Sequence, residues 1–235
     1  MNLNLDGRVV AVTGAFGILG MAVAEEIVRQ GGRVAMIDRA AEPAGVLPAI
    51  LADALLLGNI DLTSYESAQK AIGQIVSELG ALDALVNIAG GFRWETLADG
   101  DLSSWDFLYA INLRTAATAS KAALGALLES STGRIVNIGA GAALKSGMGM
   151  GAYAASKAGV ARLTESLSEE LKDKGVTVNA VLPSIIDTPQ NRSDMPDAEF
   201  DRWVKPSDLA AVIAFLLSPQ ASAVTGALIP VSGRV

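Results

Sequence analysis

Short apolar runs alternate with longer helical patterns along the whole chain. The apolar runs are Arg8–Val12, Arg33–Ile37, Ala84–Val86, Arg134–Ile138, Thr177–Leu182 and Leu228–Val231, with Ala54–Leu57 as a weaker seventh. The helical patterns are Leu19–Gln30, Ser64–Leu79, Ser103–Leu128, Tyr153–Lys172 and Pro206–Leu217. Strand–helix alternation of this kind is typical of right-handed βαβ units, which build a parallel sheet. Because the runs are apolar throughout, we expect strands that are buried on both faces.

Size and composition agree with one α/β domain. The chain has 235 residues, of which 51% are hydrophobic and only 5% aromatic. A core of small aliphatic side chains of this size is sufficient for one sheet with helices on both faces. We predict a single domain over residues 1–235, built on a doubly wound parallel sheet of about seven strands. The polar stretch 183–203 follows a predicted strand, and we expect it to form a lid over a substrate.

Several classes of function are excluded by what the sequence lacks. The chain contains no Cys and no His, so disulfides, Cys/His metal sites and hydrolase triads with a histidine base are impossible. We therefore predict no metal site. A net charge of −7 provides no basic surface for nucleic acid or for a membrane, and we expect neither partner. The sequence shows no transmembrane pattern, and residues 1–7 show no signal-peptide pattern, so we expect a cytoplasmic protein.

A glycine-rich segment, Thr13–Gly20, joins the first predicted strand to the first predicted helix. Glycines allow the backbone to turn tightly beside a pyrophosphate, and the helix N-terminus offers free N–H groups to the phosphates. The second predicted strand ends at Asp38. A carboxylate there accepts hydrogen bonds from the ribose hydroxyls of NAD and repels the 2′-phosphate of NADP. We favour NAD(H) as the cofactor, while the adjacent Arg39 leaves NADP(H) open.

Tyr153 and Lys157 stand four residues apart in a helical pattern and therefore share one helix face. A free tyrosine has a pKa near ~10 and is a poor acid–base group at neutral pH. A nearby ammonium group stabilises the phenolate and lowers that pKa, and an oxidised nicotinamide would add to this effect. We expect Tyr153 to handle the proton that accompanies hydride transfer, with Lys157 lowering the pKa of its phenol.

With these motifs in this order, the chain resembles the classical short-chain dehydrogenases/reductases. The resemblance is carried by the loop Thr13–Gly20, "NIAG" at 87–90, "AINL" around Asn112, "YAASK" at 153–157 and "PSIIDT" at 183–188. It implies a Rossmann fold, NAD(P)-dependent oxidoreductase activity and a small-molecule substrate. It also implies that Asn112 is a third catalytic residue beside Tyr153 and Lys157.

The resemblance implies a set of cofactor contacts as well. In this family Asp61 lies near the adenine ring, and the 183–188 loop contacts the nicotinamide. The expected cofactor-binding residues are Thr13, Gly14, Phe16, Gly17, Ile18, Leu19, Gly20, Asp38, Arg39, Asp61, Leu62, Asn87, Ala89, Gly90, Tyr153, Lys157, Pro183, Ile186 and Thr188. The middle glycine of the loop stands one place earlier than usual. The family's helix packing further implies a homodimer or a homotetramer.

One departure from the family concerns the substrate. Ala140 stands where the family has a serine that polarises the substrate carbonyl. Either another group such as Ser146 or a water replaces it, or the substrate does not need it, or the activity is weak. Within the family, dihydropteridine reductase also has alanine there, and its stretch after the sixth strand is similar to 181–203. We expect a substrate site that includes Ala140, Ser146, Phe92, Trp94 and Met148.

Three functions remain open from the sequence. The first is an NAD(H)-dependent oxidoreductase that acts on a small carbonyl or alcohol or on a pterin-like imine. The second is a ketoacyl-type or sugar carbonyl reductase in which another donor replaces the missing serine. The third is a catalytically weak dinucleotide-binding sensor or scaffold. Ala140 favours the third, whereas Tyr153, Lys157 and Asn112 favour an enzyme.

Overall fold

A computed structural model describes residues 3–235 and shows one seven-stranded parallel sheet. The strands are β1 (Val9–Thr13), β2 (Arg33–Ile37), β3 (Leu55–Leu57), β4 (Ala84–Asn87), β5 (Arg134–Ile138), β6 (Thr177–Pro183) and β7 (Leu228–Val231). Their order is β3-β2-β1-β4-β5-β6-β7, and every pairing is parallel. This confirms the predicted doubly wound sheet. The strand order reverses between β1 and β4, where folds of this kind bind ligands beyond the carboxyl ends of the strands.

Helices cover both faces of the sheet. They are α1 (Ile18–Arg29), α2 (Tyr65–Leu79), α3 (Leu102–Leu108), α4 (Thr115–Glu129), α5 (Gly151–Leu171), α6 (Pro189–Asp194) and α7 (Pro206–Leu217). Because side chains alternate along a strand, Val10 and Val12 face one core with α1 and α7. Val9 and Ala11 face the other core with α2, α4 and α5. Both faces are thus apolar, as expected for central strands of a parallel sheet.

The predicted helix Ser103–Leu128 is not one continuous α-helix. Helix α3 ends at Leu108, and a π-helical turn over Tyr109–Arg114 separates it from α4. A π turn inserts one residue without ending the helix, so the apolar pattern continues through it and does not reveal it. Such turns are frequent at functional sites. Here the turn carries the buried Asn112.

The stretch 183–203, predicted to form a lid, contains a short helix and a 3₁₀ turn. The Thr188 hydroxyl caps α6 by accepting a hydrogen bond of 3.1 Å from the Asn191 N–H. Arg192 donates to the Asp187 carboxylate through Nε and Nη2, at 2.6 and 2.7 Å. A 3₁₀ turn over Phe200–Arg202 ends the segment. The segment lies after β6, as predicted, and its movement as a lid stays a prediction.

Within residues 3–235, no helix combines the length and the apolarity needed to cross a bilayer. The same residues contain no group of three or more acidic side chains placed to hold a metal ion. Residues 1 and 2, which belong to the predicted domain and to the segment read for a signal peptide, lie outside the described residues.

Candidate active site

A groove of about 960 Å³ runs along the carboxyl edge of the sheet. Typical small-molecule sites measure about 300–1,000 Å³, so the groove is large enough for a dinucleotide. Many of the expected cofactor residues line it: Gly14, Phe16, Gly17, Ile18, Leu19, Gly20, Asp38, Arg39, Asp61, Leu62, Ala89, Gly90 and Thr188. Other lining residues were not predicted: Ala40, Glu42, Ala44, Ile60, Thr63, Ile88, Gly91, Ile111, Thr115, Pro189 and Gln190.

The glycine loop leaves no room for side chains at two of its positions. Gly14 has a φ of +63°, and a Cβ atom there would lie 2.9 Å from the Ala89 Cα. At Gly20 a Cβ atom would lie 2.3 Å from the Gly14 carbonyl oxygen. Gly17 is the N-cap of α1, where no side chain caps the free N–H groups. The loop therefore fits a pyrophosphate, which would accept hydrogen bonds from these N–H groups.

Asp38 is held firmly at one end of the groove. Its Oδ2 accepts a hydrogen bond of 3.0 Å from the Phe16 N–H, and its Oδ1 accepts one of 2.9 Å from the Ala40 N–H. Asp61 lines the same end, where hydrogen bonds from Thr63 lower the pKa of the Asp61 carboxyl. With Glu42, three carboxylates line this end of the groove beside Arg39, and the charge of Arg114 also acts on Asp61.

Lys157 is buried, and its Nζ donates a hydrogen bond of 2.8 Å to the Ile138 carbonyl oxygen. Burial lowers the pKa of the Lys157 ammonium to about 8. One helical turn earlier, burial raises the pKa of the Tyr153 phenol to about 12. The Phe92 ring packs edge-on against Tyr153 with 4.9 Å between ring centroids. In the protein alone, desolvation of the phenolate sets the direction of this shift, and the effect of Lys157 on the pKa of Tyr153 stays a prediction.

Asn112 connects the groove to the helix that carries Tyr153. Its Oδ1 accepts a hydrogen bond of 2.9 Å from the Gly91 N–H, and its Nδ2 donates to the Gly91 carbonyl oxygen at 3.1 Å. The same Nδ2 donates to the Ser156 hydroxyl at 3.0 Å. That hydroxyl donates to the Tyr153 carbonyl oxygen at 2.7 Å. Ser156 was not predicted, although its place within "YAASK" could have indicated it.

The inner end of the groove adjoins the Tyr153–Lys157 pair. Neither side chain lines the groove itself, but Gly90 and Gly91 do. A Cβ atom at Gly90 would lie 2.4 Å from Asn112 Oδ1 and 3.6 Å from Lys157 Nζ. The structure thus brings Tyr153, Lys157 and Asn112 together beside the end of the groove that lies away from Asp38.

Thr13 and Asn87, both expected to bind the cofactor, lie beneath the groove. The Thr13 hydroxyl accepts hydrogen bonds from the Ile88 and Ala89 N–H groups at 3.0 and 3.1 Å. The Asn87 Nδ2 donates to Ser120 Oγ at 3.0 Å and to Asn137 Oδ1 at 2.8 Å. Their hydrogen bonds hold the loop after β4 and the sheet interior, so the structure gives both residues a supporting position.

Pro183 and Ile186 do not line the groove either. Pro183 is buried at the end of β6, where it pairs with Val231 of β7. Ile186 forms a parallel bridge with Val204, and its carbonyl oxygen accepts a hydrogen bond from Asn191. Within the 183–188 loop, Thr188 is the predicted residue that reaches the groove.

The expected substrate residues differ in how they relate to Tyr153. Phe92 contacts the Tyr153 ring, and Trp94 packs so closely on Gly149 that a Cβ atom there would lie 2.2 Å from its indole. Phe92, Trp94 and Met148 are exposed at 56%, 55% and 79%. Ala140 is buried directly after β5.

Ser146, the suggested replacement for the missing serine, lies on an exposed loop, and that role stays a prediction. It is exposed, and its hydroxyl donates to the carbonyl oxygen of the adjacent Gly147 at 3.2 Å. The Ser146 hydroxyl thus forms its hydrogen bond within its own loop, and not with Tyr153, Lys157 or Asn112.

Known proteins resemble the chain along nearly its whole length. The family model described as short chain dehydrogenase matches residues 8–199. The 3-oxoacyl-(acyl-carrier-protein) reductase FabG of Vibrio cholerae is 32% identical, with 98% of both chains covered. The 2-(S)-hydroxypropyl-CoM dehydrogenase 3 of Xanthobacter autotrophicus is 34% identical, covering 99% of this chain and 98% of that one. A short-chain dehydrogenase/reductase structure from Brucella melitensis has a TM-score of 0.89 and 32% identity, covering 99% and 98% of the two chains.

These similarities correct one expectation and confirm another. The relatives named above are not dihydropteridine reductases, so the nearer resemblance to those enzymes is not supported. The family itself is supported by the matched model, by the seven-stranded sheet and by the order of the motifs along the groove. The chain belongs to the short-chain dehydrogenase/reductase family of oxidoreductases.

Proposed function

We propose that the protein is an NAD(H)-dependent oxidoreductase that exchanges hydride with a small carbonyl or alcohol or with a pterin-like imine. One observation carries this proposal. A single groove has the fixed Asp38 carboxylate at one end and, at the other, the Gly90–Gly91 backbone beside Lys157. A dinucleotide laid along it would have its adenosine ribose at Asp38 and its nicotinamide near the Tyr153–Lys157 pair.

The preference for NAD(H) over NADP(H) follows from the charges at the adenosine end. Asp38, Glu42 and Asp61 all line that end, and Arg39 is one cation among them. A 2′-phosphate placed there would be repelled by the carboxylates, whereas ribose hydroxyls can donate hydrogen bonds to Asp38. The free N–H groups of α1 would hold the pyrophosphate, and Thr188 would meet the nicotinamide end.

A bound nicotinamide would supply or accept the hydride. The Tyr153 phenol would deliver a proton to the substrate oxygen or nitrogen, and its raised pKa of about 12 keeps it protonated at neutral pH. The Lys157 ammonium, whose pKa of about 8 keeps it mostly charged at pH 7, would stabilise the phenolate that remains. Asn112 would hold the Gly91 backbone in place against α5. In the opposite direction the Tyr153 phenolate would have to form first and would then accept the proton of the substrate.

The expected substrate side of the site carries large exposed side chains and lacks the family's serine hydroxyl. Phe92, Trp94 and Met148 expose large apolar surfaces near Tyr153, and Ala140 replaces a hydroxyl with a methyl group. A conjugated imine or an activated carbonyl needs less polarisation than a simple ketone. We therefore propose that the substrate is flat or apolar and carries a conjugated imine or an activated carbonyl. Similarity to a 3-oxoacyl-(acyl-carrier-protein) reductase supports a 3-oxoacyl compound as an alternative substrate.

A substrate screen tests the proposal. NADH and NADPH oxidation would be measured with a quinonoid dihydropterin, a 3-oxoacyl thioester, simple ketones and sugars. We expect turnover with NADH, stronger for the conjugated or activated substrates than for simple ketones. In Ala140→Ser, which adds the missing donor, turnover of simple ketones should rise. Tight NADH binding without turnover of any compound would contradict the proposal and support a cofactor sensor, the function that Ala140 favours.

We also propose a homodimer or a homotetramer, with contacts through α4 and α5. Both helices are rich in small residues that allow close approach between helices. Light scattering coupled to size exclusion would measure the mass, for which we expect two or four times 24.1 kDa. A monomer at micromolar concentration would contradict this.

A further inference from the structure

The stretch 183–203, the expected lid, is held together by its own side chains. The Arg192 guanidinium donates to the Asp187 carboxylate and also lies over the Phe200 ring, 4.9 Å from the ring centroid. Phe200 packs against Trp203 with 4.9 Å between ring centroids, and Trp203 is buried. The lid is thus a folded unit, and its position depends on what holds its two ends.

The two ends of the lid are joined to each other. Ile186 and Val204 form a parallel bridge. The Asp187 N–H donates to the Val204 carbonyl oxygen at 2.8 Å, and the Val204 N–H donates to the Ile185 carbonyl oxygen at 3.0 Å. Thr188, the next residue along the chain, lines the dinucleotide groove. A shift of this joint would therefore move Thr188.

Residues 232–234, which follow β7, lie against both ends of the lid and are called the strap below. The Ser184 hydroxyl donates to the Ser232 carbonyl oxygen at 2.8 Å. The Arg234 N–H donates to the Arg202 carbonyl oxygen at 2.9 Å. In return, Arg202 Nε and Nη2 donate to the Arg234 carbonyl oxygen at 2.9 and 2.7 Å. The strap thus connects both ends of the lid to the end of the last strand.

The middle residue of the strap fits the lid too closely for a side chain. Gly233 has a φ of +60°, and a Cβ atom there would lie 2.6 Å from the Arg202 carbonyl oxygen. The Arg234 side chain donates to the Asp201 carboxylate at 3.0 Å, but both side chains are mostly exposed. Exposed ion pairs contribute little to stability. The close backbone contact at Gly233 is therefore the more important attachment of the strap.

We propose that the strap positions the lid for binding of the nicotinamide half of the cofactor, with Gly233 as the main positioning residue. This inference rests on the proposed function, which puts the nicotinamide near Thr188. Gly233 does not line the groove, so it acts through Arg202 and the joint between the ends of the lid. The adenosine end should not depend on the strap, because Asp38 and the loop Thr13–Gly20 follow other strands.

Calorimetric titration of Gly233→Ala with NADH and with ADP-ribose tests the proposal. ADP-ribose fills the adenosine end and lacks the nicotinamide. We expect the dissociation constant for NADH to rise at least about fivefold, and that for ADP-ribose to stay within about twofold of the wild type. Gly80→Ala is the matched control, because Gly80 has a φ of +82° but a Cβ atom there would meet nothing within 4 Å. The control should bind both ligands as the wild type does.

Amide hydrogen exchange of the cofactor-free protein measures the lid directly. Exchange at residues 185–203 should be faster in Gly233→Ala than in the wild type or in Gly80→Ala. If Gly233→Ala does not fold, Arg202→Met takes its place, because it removes the two hydrogen bonds to the Arg234 carbonyl oxygen. Unchanged NADH affinity, or equal weakening of NADH and ADP-ribose, would overturn the proposal. If the wild type binds neither ligand, the proposed function fails, and exchange in the lid alone decides for or against the strap.

Discussion

The two ends of the dinucleotide groove are built in different ways. At the adenosine end, Gly14 and Gly20 meet backbone atoms so closely that a methyl group has no room, and Asp38 accepts two backbone hydrogen bonds. Beyond its other end, on the expected substrate side, Trp94 and Met148 are more than half exposed on loops that do not line the groove. Backbone geometry fixes the adenosine end. The substrate side instead presents side chains that are largely exposed.

This difference shows which part of the function each end determines. Steric and backbone constraints at the proposed adenosine end tolerate little change, so we expect that end to select the cofactor. Exposed side chains on loops can be exchanged at little cost to stability, so we expect the residues on the substrate side to set the substrate specificity. Tyr153 and Lys157 lie on helix α5, beside the end of the groove away from Asp38. Substitutions at the three places should therefore have separable effects on chemistry, on cofactor binding and on substrate binding.

The largest effect is expected from Tyr153→Phe, which removes the proton donor and retains the ring. Turnover of the best substrate should fall at least about a hundredfold, the usual scale for loss of acid–base catalysis. The dissociation constant for NADH, measured by fluorescence titration, should change little. Tyr65→Phe, on the exposed surface of α2, is the matched control and should retain wild-type turnover. Unchanged turnover in Tyr153→Phe would contradict the proton role.

The sheet and the adenosine end could be predicted closely from the sequence. The predicted bounds of β2, β5 and β7 agree with the structure, because short apolar runs between turn residues mark buried strands. The glycine loop and Asp38 were predicted from local sequence, and the structure places them on one groove.

What could not be predicted depends on contacts between distant segments. The π turn at Tyr109–Arg114 preserves the helical apolar pattern, so the pattern does not show it. The supporting roles of Thr13 and Asn87 depend on partners in other strands and helices. The raised pKa of the Tyr153 phenol depends on burial, which sequence spacing does not give.

The next effect concerns stability at the catalytic pair. Burial lowers the pKa of Lys157 from 10.5 to about 8, so between these values the unfolded chain binds more protons than the folded one. The contribution of Lys157 to stability should therefore rise with pH from about 8 to 10.5 and be least favourable below 8. Lys157→Met removes the buried charge and should raise the free energy of unfolding at pH 7 by roughly 2 kcal/mol.

Urea denaturation at pH 7 and pH 10 would measure this change. The gain in Lys157→Met relative to the wild type should shrink at pH 10, where the wild-type lysine is neutral when folded. The same variant should lose turnover. Equal stabilisation at both pH values would show that charge burial is not its cause.

A smaller effect is expected at the adenosine end. Asp38→Asn removes the charge and retains one oxygen acceptor, so one of the two backbone hydrogen bonds that Asp38 accepts is kept and the other is lost. Affinity for NADH relative to NADPH should fall about tenfold, or about 1.4 kcal/mol. Asp38→Ala should shift the ratio in the same direction and should also loosen the loop. If both cofactors weaken equally in Asp38→Asn, the carboxylate does not distinguish their riboses.

The smallest effect is expected at the substrate end. Trp94→Ala removes an exposed aromatic surface beside Gly149 and should raise the KM for a flat substrate by roughly threefold to tenfold. The affinity for NADH should not change. Leu97→Ala, an exposed position in the same loop, is the control. A loss of NADH affinity in Trp94→Ala would mean that the two ends of the groove are not separable.

A crystal structure of the protein with NAD⁺ tests the central claim most directly. We expect the adenosine ribose to donate hydrogen bonds to the Asp38 carboxylate, and the nicotinamide ring to lie beside Gly90 and Gly91. The Tyr153 hydroxyl should then face the space above that ring, within about 3–3.5 Å of where a reacting atom would sit. A nicotinamide bound away from Gly90, or a Tyr153 hydroxyl turned into the protein interior, would contradict the account.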